Sequence, residues 1–150
     1  MIRATHQTPT GPVTIEEGDG AITLLRWGRG GDASSPLLDE AGRQLAAYFD
    51  GRLTAFDLPL APGGDAFQQR FLDILRAIPF GHTRTYGEIA RQMAVSAQAV
   101  GQACGANPIP IFIPCHRVLG ASNLGGFSGG VGVETKVALL RLEGAAGLLI

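Results

Sequence analysis

The run Asn107-Pro108-Ile109-Pro110-Ile111-Phe112-Ile113-Pro114-Cys115-His116-Arg117-Val118 constrains this chain more than any other segment. A residue before proline is driven out of helical geometry, so the helix preceding this run must close at Asn107-Pro108. The apolar, proline-bracketed residues that follow read as a short buried strand that delivers Cys115 and then His116. Thiolate is the nucleophilic form of cysteine, and basic neighbours favour it. An isolated Cys-His pair more often marks a structural thiol, because free cysteine is among the most buried residue types. Here the flanking sequence favours a nucleophile.

With 150 residues, 45% of them hydrophobic, the chain is long and apolar enough for a full core, as one domain or two small ones. It contains no apolar run long enough to span a bilayer, and the N-terminus lacks the apolar centre of a signal peptide. A cytoplasmic, reducing setting is therefore expected. Cys104 and Cys115 do not make a disulfide framework, and no Cys/His spacing resembles a zinc site. The net charge is −1. Acids outnumber bases up to Pro62 and bases outnumber acids after it, which permits a nucleic-acid surface on the second half without demanding one.

In the first half, Val13–Glu16 and Ile22–Leu24 alternate apolar and polar around Glu17-Gly18-Asp19-Gly20, predicting a hairpin. Leu38, Ala41, Leu45, Tyr48 and Phe49 recur at helical spacing. Phe56–Leu60 reads as an edge strand, since Pro59 excludes a central position. His6 is expected at the surface and Trp27 in the core. Ala61-Pro62-Gly63-Gly64 marks a boundary, giving domains 1–62 and 63–150.

The second half reads as helical. Asp65 caps a helix bearing Phe67, Phe71, Ile74, Leu75 and Ile78, which Pro79-Phe80-Gly81 ends. Thr85-Tyr86-Gly87-Glu88 has the form of a capping box, opening a helix to about Met93. Ser96 caps the next helix, with Val100 and Cys104 inward. The tight link between the two predicts a helix-turn-helix. Ala97, Gly101 and Gly105 give the second helix a small-residue face beside Gln98 and Gln102, suited either to close helix packing or to close approach to DNA. The glycine-dense stretch Leu119–Gly130 suits a loop wrapped on a planar ligand. Val133, Val137, Leu140 and Leu142 predict a last helix ending at Glu143-Gly144.

Residues 107–118 resemble the acceptor-site signature of the O6-alkylguanine-DNA alkyltransferases. The likeness extends in order through Ile78-Pro79-Phe80-Gly81, Thr85-Tyr86-Gly87, Ala99-Val100-Gly101, Gly126-Phe127-Ser128-Gly129-Gly130, Lys136 and Leu142-Glu143-Gly144. The first half is similar only in its hairpin and helix pattern. The resemblance implies a ribonuclease-H-like α/β domain followed by a mainly α domain with a helix-turn-helix (winged-helix-like) motif. It also implies direct-reversal DNA repair: duplex DNA is the partner, an O6-alkylguanine (with O4-alkylthymine as a further candidate) is flipped from the stack, and its alkyl group passes irreversibly to Cys115. The protein is then a single-turnover methyltransferase, monomeric, with no cofactor and no metal.

The resemblance implies definite roles. His116 activates Cys115 through a bridging water and Glu143 orients the imidazole. Tyr86 donates toward the departing guanine, and Asn107 locks the turn before the cysteine. Val118, Phe127 and Ser128 line the pocket. Thr85, Ser96, Ala97, Gln98, Gly101 and Arg117 form the DNA-facing set, although Arg117 is better suited to structural links. The family commonly has an arginine immediately before Ala-Val-Gly to fill the gap left by the flipped base; here that position is Gln98. Three other readings compete: an alkyltransferase-like protein that binds alkylated guanine without transfer, a helix-turn-helix regulator, and a cysteine hydrolase. The presence of Cys115 argues against the first. Neighbours on a strand point to opposite faces, which argues against the direct Cys–His contact of the third.

Overall fold

The computed structural model describes residues 1–127, 129–130 and 132–147. Three antiparallel strands in the order β1 (Ile2–His6), β2 (Val13–Gly18) and β3 (Ala21–Trp27) form the first sheet. The β2–β3 hairpin turns at Asp19 and Gly20, both at positive φ (51° and 78°), the geometry that matches the right-handed twist of paired strands. Helix α1 (Pro36–Phe49) begins where Ser35 accepts from the Leu38 amide, with Pro36 in the first turn. It covers the sheet with Leu38, Ala41, Leu45 and Tyr48. His6 belongs to this packing rather than to the surface. Its Nε2 donates to the Leu38 carbonyl at 3.2 Å, and a Cβ at Gly42 would lie 2.4 Å from its ring.

Residues 56–60 do not form the expected edge strand. A single parallel bridge joins Ile22 to Leu60, held by bonds from the Ile22 amide to Pro59 and from the Ala61 amide to Ile22. Pro59 has no amide hydrogen with which to extend the ladder.

Helix α2 (Ala66–Arg76) is capped by Asp65 and buries Gln68, Phe71, Leu72 and Leu75. It stops before Ile78, so that residue packs from the loop. Thr85 and Glu88 form the reciprocal capping box that opens α3 (Tyr86–Met93). Ala94 in the left-handed region ends α3, and Ser96 caps α4 (Ala97–Gly105). These two helices pack together as the expected helix-turn-helix. Short strands β4 (Arg84–Thr85) and β5 (Val118–Leu119) pair in parallel and tie the start of α3 to the residues after the cysteine. Helix α5 (Val133–Leu142) buries Thr135, Lys136, Leu139 and Leu140; Val133, expected inward, is exposed. One apolar core runs from β1 through α1, α2 and α3 to Val118 and Leu139. Among the described residues no helix is long and apolar enough to cross a membrane.

Candidate active site

The segment between α4 and Cys115 is a tight loop, not the expected strand. Pro108, Pro110 and Pro114 lack amide hydrogens, which removes ladder donors. The chain instead folds on itself: the Ile113 amide bonds to Ile109, and Ile111 sits at φ 72°, a conformation that costs a β-branched residue energy. Asn107 holds the loop from inside. Its Nδ2 donates to the Ile113 carbonyl at 2.9 Å and its Oδ1 accepts from the Ile109 amide at 3.0 Å. Cys115–Arg117 then form a single 3-10 turn. Both Cys115 and His116 lie in the interior.

Glu143, at the end of α5, organises what surrounds them. Its Oε2 accepts from His116 Nε2 at 2.8 Å, from an Arg117 terminal nitrogen at 2.9 Å and from the Tyr48 hydroxyl at 2.6 Å. Its Oε1 accepts from Arg117 Nε at 2.9 Å. Burial alone would raise this carboxyl; the hydrogen bonds and charges of His116 and Arg117 outweigh it and hold the group at about 2. The carboxylate therefore fixes the proton of His116 on Nε2. His116 Nδ1 is left buried with no hydrogen-bond partner among the described residues. Desolvation also pushes the imidazole below its usual range, against the pull of Glu143, which favours the neutral ring. Burial pushes the Cys115 thiol up, while Asn107 and Lys136 favour its thiolate. An imidazole with one nitrogen free, a carboxylate on its other nitrogen and a buried thiol at the preceding residue are the kinds of groups a base-activated nucleophile needs.

A cavity of about 590 Å3 opens over Cys115. Tyr86, Cys104, Gly126 and Phe127 form its wall, and Ala97, Gln98, Gly101 and Gly105 of α4 form its mouth. Among the described residues a Cβ at Gly101 or Gly105 would meet nothing within 4 Å, so this face does not pack on another described helix. Burial raises the Tyr86 phenol to about 12, which keeps it a proton donor. Gly125, at φ 70°, lies so near the Tyr86 ring that a Cβ there would clash at 2.7 Å. Phe127 is held by an edge contact with Trp27 at 5.8 Å, which places Trp27 at the junction of the two halves.

Other expected site residues stand elsewhere. Val118 is fully buried in β5 behind the pocket and is not on its wall. Arg117 is buried, bound to Glu143 and to the Ile78 carbonyl at 2.6 Å, which holds it away from any DNA surface. Thr85 and Ser96 use their hydroxyls as helix caps. Cys104, expected in the core, is half-buried on the pocket wall. Ser128 lies outside the described residues.

Two residues of the site were given no role from sequence, although Lys136 is among the residues that carry the family likeness. Lys136 is fully buried, and its Nζ donates to the Val118 carbonyl at 2.6 Å and the Gly126 carbonyl at 3.1 Å. A lysine on the apolar face of α5 was the available signal. Tyr48 gave none, because at helical spacing it reads as core.

The fold and pocket define a two-part protein in which a ribonuclease-like α/β unit supports a helix-turn-helix unit with a buried cysteine. Residues 1–62 match the family model for the ribonuclease-like domain of 6-O-methylguanine DNA methyltransferase, and residues 66–145 match the model for its DNA-binding domain. The methylated-DNA–protein-cysteine methyltransferase of Methanosarcina acetivorans is 40% identical, covering 97% of this chain and 99% of its own length. The protein of that name from Mycobacterium tuberculosis is 44% identical over 93% of this chain and 90% of its own. The crystal structure of Mycobacterium tuberculosis OGT in complex with DNA superposes with a TM-score of 0.87 at 43% identity, covering 96% of this chain and 93% of that one. This chain belongs to the 6-O-methylguanine DNA methyltransferase family.

Proposed function

We propose that this protein repairs O6-alkylguanine in duplex DNA, with Cys115 as the alkyl acceptor, His116 as its base and Glu143 as the orienting carboxylate. Direct-reversal repair by alkyl transfer to a cysteine is the activity of the family. The observation that carries the residue assignment is the buried, unpartnered Nδ1 of His116, left free by the bond from Nε2 to Glu143.

In this reading α4 lies against the DNA and the damaged base enters the cavity above Cys115. The thiol proton passes to His116 Nδ1, directly or through one water. The sulfur forms a bond to the alkyl carbon as the bond to O6 breaks, and the electron pair stays on the guanine. Tyr86, held protonated, donates toward that developing charge. Gln98 at the pocket mouth takes the space vacated by the base. The thioether is stable, so each molecule acts once, as a cytoplasmic monomer. Residues 1–62 and 63–150 are its two domains.

Intact-mass measurement after mixing the protein with duplex DNA carrying one O6-methylguanine tests this. A methyl group gained on the peptide containing Cys115, absent with unmodified DNA and absent in Cys115→Ala, is the expected result. Methyl transfer retained in Cys115→Ala rejects the assignment. Lesion-selective binding without mass gain leaves a binding-only protein.

A further inference from the structure

Glu143 receives donors from two sources. Arg117 and His116 come from the 3-10 turn that also carries Cys115. Tyr48 comes from α1, in the other half of the chain, and bonds the oxygen that also faces His116. The Tyr48 ring has little freedom. It is 1% exposed and is held by edge contacts with Phe49 at 5.2 Å and Phe80 at 6.2 Å, and by a tilted contact with Phe56 at 5.2 Å. Its hydroxyl therefore points at one place.

We propose that Tyr48 is a positioning residue for alkyl transfer: its hydroxyl fixes Glu143 Oε2 and moderates the charge that this oxygen presents to His116. The proposal rests on the roles given above to Cys115 and His116. Arg117 grips both carboxylate oxygens and so sets the plane of the group. Tyr48 touches only Oε2. A hydrogen bond to a carboxylate oxygen draws off part of its negative charge and weakens its hold on a second donor. Without the hydroxyl, Oε2 faces His116 with more charge and favours the imidazolium. The neutral base then becomes scarcer at a given pH. The other charged or titratable groups around the pair are Arg117 on the turn, Lys136 on α5 and the Cys115 thiol. Tyr48 is the member supplied by the ribonuclease-like half, which thereby contributes an atom to the site as well as a scaffold.

Tyr48→Phe removes the hydroxyl and keeps the ring. Phe49→Leu is the packing control, because it disturbs the ring contacts and leaves the hydroxyl. For each, single-turnover methyl transfer from O6-methylguanine duplex is measured from acid to neutral pH. The His116 ring is titrated by NMR in the free protein, and DNA affinity and melting temperature are recorded. Tyr48→Phe is expected to move the acid limb and the His116 titration upward together, slowing transfer about three- to tenfold on that limb, which corresponds to roughly half to one pH unit. DNA affinity stays unchanged, and Phe49→Leu lowers the melting temperature without moving the limb. An unmoved limb and titration in Tyr48→Phe overturn the proposal, as does an equal movement in Phe49→Leu. Loss of the broader reading looks different: the wild-type protein then transfers no methyl group, while the NMR titration still reports whether Tyr48 acts on His116.

Discussion

His116 and Glu143 meet through Nε2 and Oε2 at 2.8 Å, both side chains fully buried, and this one bond decides which nitrogen of the imidazole is free for chemistry. A buried histidine with both nitrogens satisfied would be a structural residue. Here the carboxylate takes one nitrogen and none of the described residues takes the other. Arg117 helps keep the carboxylate ionised, so in the proposed transfer a positive charge forming on His116 would have a counter-charge already in place. Leaving a buried polar atom unpaired costs stability, a cost that functional sites commonly carry.

The same bond predicts acid lability. The Glu143 carboxyl sits at about 2 in the folded chain, below its ordinary 4.5. A depressed acid stabilises the fold above its unfolded pKa, and that contribution is lost as pH falls from about 4.5 toward about 2. His116 is also depressed from 6.5, so the unfolded chain takes up its proton first and stability begins to fall below about 6.5. Both groups act in the same direction. The melting temperature is expected to decline in two stages as pH falls below about 7. Glu143→Gln shrinks the lower stage, to which the also-lowered Glu16 contributes, and a curve flat from pH 7 to pH 4 would contradict the assignment.

Much of this site was legible before the fold, and the limits of that legibility have physical causes. Helix starts at Ser96, Asp65 and Thr85 were readable because caps are local chemistry, settled within a few residues. Cys115, His116 and Glu143 were readable from motif and family likeness. The strand expected before Cys115 failed because β-branched and aromatic residues suit strands while the interleaved prolines deny them ladder bonds, and only the folded loop shows which effect wins. Val118 was placed on the pocket wall because motif proximity carries no information about which side of a turn faces the ligand. Tyr48 was invisible as a polar contact because its partner lies 95 residues away.

The open face of α4 separates stability from function. Gly101 is exposed, has no positive φ, and a Cβ there would touch nothing. Gly101→Ala is expected to stabilise the fold by about 0.5–1 kcal/mol, the helical cost of glycine relative to alanine. Gly101→Leu should fold as well as wild type yet bind duplex DNA at least about tenfold more weakly, since its bulk would stand at the cavity mouth where the backbone must approach closely. Chemical denaturation and fluorescence anisotropy read the two effects separately. Unchanged DNA affinity in the leucine variant would remove α4 from the interface.

Gln98, also exposed at the cavity mouth, supplies no charge to the duplex. Gln98→Arg adds a cation where phosphates or an orphaned base come near. Affinity is expected to rise about three- to tenfold at low salt, and the slope of log affinity against log salt to steepen by about 0.9, the value for one more phosphate neutralised. A rise in affinity with an unchanged slope would point to base contact instead of phosphate contact. No rise at all would show that this position does not meet DNA.

Asn107, just after α4, braces the loop before Cys115 through two bonds, to the Ile113 carbonyl and from the Ile109 amide, and its side chain also favours the Cys115 thiolate. Asn107→Ala removes both bonds and leaves the Ile109 amide and Ile113 carbonyl without these partners in a buried loop already strained at Ile111. The expected destabilisation is about 1–3 kcal/mol, and the loop is expected to relax from its positive-φ geometry. Cys115 then loses both its fixed position and a donor that lowers its pKa, so transfer should slow by roughly 10²-fold, a loss that follows from small displacements of a reacting group. Asn107→Asp discriminates between the two effects. It keeps an acceptor for the Ile109 amide but loses the donor to Ile113 and adds a negative charge beside the thiol, so it should slow transfer further than alanine and shift its optimum to higher pH. Transfer rates measured against pH at saturating duplex, with melting curves for both variants, decide the matter. An aspartate variant faster than the alanine variant would show that Asn107 acts on the loop alone.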